Sequence, residues 1–153
     1  MGGAVNPPDI EWLDLYAVAD VIITARGERL SRARSMWSAD CPGEQMIEIR
    51  FHHPMVVRRL RVVATEPEAS RTQEMTVWAC LHRGERHREV LRQQFNFSPD
   101  GATEEIEDYV FEFDDVSALQ LRIVPSVEGR PATAHVRELR VASAAYGGRG
   151  VMR

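Results

Sequence analysis

The sequence predicts an all-β fold, an antiparallel sandwich or barrel, and three observations carry that expectation. The clearest is the stretch from Gln45 to Thr65, QMIEIRFHHPMVVRRLRVVAT, where Ile47, Ile49 and Phe51 alternate with Met46, Glu48 and Arg50. After a His-His-Pro connection, Leu60, Val62 and Ala64 alternate with Arg59, Arg61 and Val63. A period of two places successive side chains on opposite faces, as in strands with one buried side. Such runs recur about eight times along the chain, separated by glycine and proline turn signals. No run keeps helical periodicity for more than a turn or two, and no internal repeat suggests a propeller or solenoid.

Taken in order, residues 1–17 form an arm whose Trp12, Leu13, Leu15 and Tyr16 are expected to pack onto the body. Val18 to Ala25 is the first strand. The charged segment from Arg26 to Ser35 reads as a loop that delivers Met36 and Trp37 to the core, and the Pro-Gly pair in DCPGE, 40–44, marks a turn. The 45–65 stretch then reads as two strands joined at His52-His53-Pro54. Gln73 to Leu81 sets Met75, Val77 and Ala79 on one side and Thr76, Trp78 and Cys80 on the other. Alternation resumes over Glu89 to Phe97 until the turn SPDG, 98–101. Glu105 to Phe113 places Tyr109, Phe111 and Phe113 on one face, Asp114 and Asp115 form a turn, and Leu119, Leu121 and Ile123 follow before Pro125. The last strand, about Thr133 to Ala142, shifts phase near Val136, which predicts a bulge. Residues 144–153 form a flexible tail.

A chain of 153 residues fits one domain, long enough to bury about two thirds of its unfolded surface without disulfides or metals. Its hydrophobic fraction of 44% and charged fraction of 27% are those of an ordinary globular protein. The longest apolar run, Leu15 to Ala25, is broken by Asp20 and falls short of the roughly 20 residues a membrane span needs. Residues 1–8 lack the basic and apolar regions of a secretory signal, so a cytoplasmic location is expected and Cys41 and Cys80 are expected as thiols. A net charge of −4 argues against nucleic acid as partner. All 19 basic side chains are arginine, clustered at Arg58, Arg59 and Arg61 and again at Arg83, Arg86, Arg88 and Arg92. Pairing with the acids of 104–115 across neighbouring strands is their ordinary explanation.

Sequence motifs for catalysis are absent: there is no GxSxG elbow, no phosphate-binding glycine loop, and no HExxH, HxxxH or CxxC spacing. His52 and His53 point to opposite faces of an extended chain and make a poor metal pair. The reading is therefore non-enzymatic.

The segments VIITARGE (21–28), Met36-Trp37-Ser38, Gln45 to Phe51 and Pro54 to Val63 resemble the opening half of discoidin or coagulation factor 5/8 C-type domains. Tyr109 to Phe113, Val116 to Val124 and Val136 to Val141 resemble their closing strands, so the likeness covers about residues 18–143. It implies a galactose-binding-like β-sandwich jelly roll, a buried Trp37 and a carbohydrate or related polar ligand. The blocks around Arg71 to Glu74, Arg92 to Pro99 and Glu107 to Tyr109 also look like those of small bacterial proteins described as discoidin-like or carbohydrate-binding. The resemblance further raises a structural calcium, with Glu138 at the position of a ligating glutamate, although RLSRARS, 29–35, stands where the sugar-binding members carry an Asp-Gly-Asp loop.

Candidate ligand-binding residues are Arg71, Gln73, Arg92, Gln94 and Asn96, whose planar donors and acceptors suit adjacent hydroxyls or a carboxylate. Arg92, Gln94 and Asn96 share one strand face. Their alternative role is a solvated face paired with acidic strands. Trp78 is a candidate stacking platform, with burial beneath the arm as its alternative. A different class of function stays open: a protein-interaction module using an arginine-rich sheet face, as in the similar N-terminal domain of a DNA-repair scaffold. An oligomer built on sheet edges is a third possibility.

Overall fold

The computed structural model describes residues 10–25, 28–32, 37–39, 41–83 and 87–145, apart from the side chains of 28–32 and Trp37. The expectations for Met36 and for the Trp37 side chain lie outside the described residues, as do 1–9 of the arm and 146–153 of the tail. The elements are β1 (Ile10–Trp12), α1 (Leu15–Val18), β2 (Ala19–Ala25), β3 (Glu28–Arg32), β4 (Trp37–Ser38), β5 (Gln45–Thr65), β6 (Arg71–Leu81), β7 (His87–Phe97), β8 (Glu104–Val124) and β9 (His135–Ala144). The protein is all-β: among the described residues every strand pair is antiparallel and there is a single four-residue helix.

Two 21-residue strands, β5 and β8, organise the fold. They pair near both ends of their length, but the ladder is interrupted between Arg50 and Met55 and the register shifts three times between Arg50 and Arg59. The neighbours of β5 change at the same place: its first half pairs with β2 and its second half with β9. Likewise, the second half of β8 pairs with β6 while its first half pairs only with β5 among the described strands. One sheet is thereby bent into two layers. The larger runs β3-β2-β5-β8-β6-β7 and the smaller runs β1-β9-β5-β8, with β4 on β9. Ile47, Ile49, Leu119, Leu121 and Val77 from the first layer share one core cluster with Val57, Leu60, Leu139 and Val141 from the second. Burial of this apolar area between layers is the main favourable term.

The structure corrects several expectations. No connection interrupts 45–65, because Pro54 lies between Arg50 and Met55, where the β8 ladder is already broken, and so removes no ladder bond. Asp114 and Asp115 sit inside β8 and not at a turn. Part of the segment expected as a loop, 28–32, forms β3 on β2. The phase shift near Val136 is a bulge: Val63 faces Glu138 and Ala64 faces Val136. In the arm, β1 adds to β9 and Leu13 and Leu15 pack on the core, whereas Tyr16 is 56% exposed beside the cap that Asp14 gives α1. Cys41 and Cys80 are free thiols.

Candidate functional site

The outer face of the larger layer carries the polar stripe. On β6, Met75, Val77 and Ala79 are buried in the core, so Glu74, Thr76 and Trp78 project from the opposite side. Gln94 faces Glu74, Arg92 faces Thr76, and Trp78 lies between Glu89 of β7 and Gln120 of β8. Asn96 is opposite Thr72, whose hydroxyl donates to its side-chain oxygen at 2.6 Å. Arg92 donates to Glu74 and Glu89, both at 3.1 Å, and Gln94 donates to Glu74 at 3.3 Å. On the far side of Trp78, Gln120 donates to Glu48 at 3.4 Å and Arg122 grips Glu44 through two bonds of 2.8 and 3.0 Å. These pairs hold the planar groups in fixed orientation.

Trp78 is half-buried in the middle of this face, and its indole N–H has no hydrogen-bond partner among the described residues. The described part of the arm that pairs with the body lies elsewhere: β1 is at the edge of the other layer, on β9. There Trp12 is flanked by the guanidinium groups of Arg140, 4.3 Å from its ring centre, and Arg59, 5.6 Å away.

Arg71 and Gln73 do not belong to the stripe. They share the parity of Met75 and Val77, and both are buried, Arg71 with a side chain only 3% exposed. Arg71 Nε donates to Glu66 at 2.8 Å, and its Nη1 donates to Gln73 Oε1 at 2.9 Å and to the Pro125 carbonyl at 2.7 Å. Its guanidinium lies 4.7 Å from the Phe97 ring centre. Gln73 in turn donates to Glu105 at 3.1 Å. A ligand on the sheet surface does not reach either residue.

Those bonds form a polar chain through the interior, Glu66-Arg71-Gln73-Glu105, which continues to Glu107 and Tyr109. The Tyr109 hydroxyl donates to Glu107 at 2.7 Å. Burial raises the Glu105 carboxyl to about 9, helped by its hydrogen bond with Glu107 and by that group's charge. As a neutral acid, Glu105 can donate from Oε2, an atom that is buried and otherwise lacks a partner. Burial acts in the same direction on Glu66, but the Arg71 guanidinium and the N–H groups of Glu68 and Ala69 outweigh it and hold that carboxyl below its usual value. Sequence reasoning missed Glu105 and Glu107. Their signal was parity: period two puts them on the same face as Tyr109, Phe111 and Phe113.

Glu138 does not suit a divalent cation. Its Oε2 lies 3.3 Å from Arg61 and 3.6 Å from Arg140, and no group of three metal-ligating side chains exists among the described residues. Two guanidinium neighbours already supply the positive charge that calcium would bring. The arginines of this layer are likewise compensated: Arg58 pairs with Asp114, and Arg59 and Arg61 with Asp108. The surface is a lattice of mixed sign, as cross-strand pairing predicts.

A cleft of about 490 Å³ opens between β7 and β8, lined by Arg88, Val90, Leu91, Tyr109, Phe111 and Phe113 together with Glu89, Val110 and Glu112. It lies at the edge of the sandwich and shares Glu89 with the border of the Trp78 face.

No protein-family model matches the sequence, and no curated protein matches it. Solved structures do share its fold. The N-terminal domain of the single-strand break repair protein XRCC1 aligns over 89% of this chain and 99% of its own, with a TM-score of 0.52 and 8% identity. A non-crystalline cellulose specific carbohydrate-binding module, CBM28, aligns over 91% and 94%, with a TM-score of 0.51 and 9% identity. What the chain shares with them is the all-β antiparallel sandwich. A third similar structure, the C-terminal domain of a chitobiase from Bacteroides fragilis, aligns over 90% and 95% at 14% identity and a TM-score of 0.49. At such identities the likeness extends to architecture alone.

Proposed function

We propose that the protein is a non-catalytic binding module for a carbohydrate or related polar small molecule, held on the outer face of the larger layer. The observation that carries this reading is Trp78: a half-buried indole with a free N–H, central to a hydrophilic face and bordered by Gln120, Glu89 and Arg92. An indole face packs against the C–H side of a sugar ring, while planar amide, carboxylate and guanidinium groups bond its adjacent hydroxyls. Arg92, Gln94, Asn96 and Gln120 supply those groups. The carbohydrate-binding module that shares the fold supports the reading.

Calorimetric titration with neutral oligosaccharides tests it. Trp78→Ala is expected to weaken binding by tenfold or more, the effect of deleting an aromatic anchor. Arg92→Ala should weaken it less, and because the side chain is 51% exposed, stability should stay within about 0.5 kcal/mol of wild type. Wild-type affinity in Trp78→Ala would remove the indole from the site. For an uncharged ligand, binding should change little with added salt.

A further inference from the structure

We propose that the cleft at the open edge of the sandwich is a second site, for an organic cation of the guanidinium type. Its position follows from the topology. β7 pairs only with β6, and residues 104–110 of β8 pair only with β5 among the described strands, so the rims of the two layers meet without a strand between them. The inner row of β8 fills one wall with aromatic rings: Tyr109 and Phe111 have centroids 6.3 Å apart, and Phe111 and Phe113 5.7 Å apart, each pair tilted by about 30° or less. Aromatic faces carry negative potential and attract weakly hydrated cations, guanidinium above all among protein groups.

The charges point the same way. Glu112 lines the cleft, as does Glu89, which Arg92 already pairs at 3.1 Å, and Glu107 accepts the Tyr109 hydroxyl behind its aromatic wall. Glu112 has no ion-pair partner among the described residues. One cation already uses the wall: the guanidinium of Arg88 lies 5.9 Å from the Phe113 ring centre. Arg88 is exposed and has no carboxylate partner among the described residues, so the ring contact is what holds its guanidinium there. It therefore acts as a tethered competitor that a ligand cation displaces. The volume lies within the range of small-molecule sites.

The test is an NMR titration that follows the aromatic resonances of Tyr109, Phe111 and Phe113 in the full chain. The probe is N-acetylargininamide, and N-acetylcitrullinamide, its uncharged counterpart of nearly equal shape, is the control. The arginine compound should give saturable shifts that weaken with salt, and the citrulline compound none. Arg88→Ala should lower the dissociation constant at least threefold, or reveal binding that the wild type masks, and adding Phe113→Leu should abolish it. The site is overturned if neither wild type nor Arg88→Ala shows a saturable shift, if both compounds act alike, if Arg88→Ala binds more weakly, or if Phe113→Leu changes nothing.

Discussion

Arg71→Met is expected to destabilise the domain by about 3–5 kcal/mol, the cost of leaving one partner of a buried ion pair without the other. The side chain satisfies Glu66, Gln73 and the Pro125 carbonyl at once, and its guanidinium covers Phe97. Methionine fills similar space but supplies no donor, so a carboxylate, an amide oxygen and a main-chain carbonyl lose their partner together. Arg71→Lys should recover only part of the loss, because an ammonium cannot serve three acceptors in the fixed fork of a guanidinium. Adding Glu66→Gln to Arg71→Met should restore some stability, since the uncompensated charge is then gone. Urea unfolding of the four proteins measures this. An Arg71→Met variant within about 0.5 kcal/mol of wild type would show that the interior chain contributes little.

Glu105 should make the protein less stable as pH rises from about 5 to about 9. Burial raises its folded-state pKa to about 9, far above that of an unfolded carboxyl. The folded chain thus holds a proton that the unfolded chain releases. The stabilisation is fully present below the unfolded value, declines as pH rises, and is lost once pH passes the folded value. The slope has a ceiling of about 1.4 kcal/mol per pH unit. Glu66 acts in the opposite sense: its lowered pKa gives stability that is present above the unfolded carboxyl value and lost as pH falls through the folded one. Stability should therefore peak on the acid side of neutrality. Glu105→Gln keeps a neutral group that accepts from Gln73 and donates to Glu107, so it should flatten the alkaline side and be more stable than wild type near pH 8. An unchanged pH slope in Glu105→Gln would assign the dependence elsewhere.

Strand alternation made most of the fold legible, including the bulge near Val136, because one buried face leaves a period of two in the sequence. What it could not show was continuity. His52, His53 and Pro54 look like a turn, yet they lie where β5 passes from one layer to the other, and the change of partner strands that marks this is a property of β2 and β9. The same holds for Asp114 and Asp115 within β8. Within the candidate site, Arg92, Gln94 and Asn96 were readable from their opposition to Phe95 and Phe97. Arg71 and Gln73 were misassigned because their polarity outweighed their parity: they share a face with Met75, and while Glu66 is only five residues from Arg71, Glu105, which accepts Gln73, comes from a distant strand. Glu138 was carried by a resemblance in position to a calcium-ligating glutamate of discoidin-type domains, whereas its neighbours Arg61 and Arg140 can be found only once β5 and β9 are paired.

The proposed role of Trp78 as the platform of a saccharide site can be observed at the indole itself. The most direct measurement follows the side-chain indole N–H resonances of ¹⁵N-labelled protein during titration with cello-, xylo-, manno- and chito-oligosaccharides. The Trp78 resonance should shift saturably with at least one of these, while that of Trp12, on the other layer, stays in place. An indole resonance of Trp78 that none of the sugars moves, or a shift confined to Trp12, would contradict it.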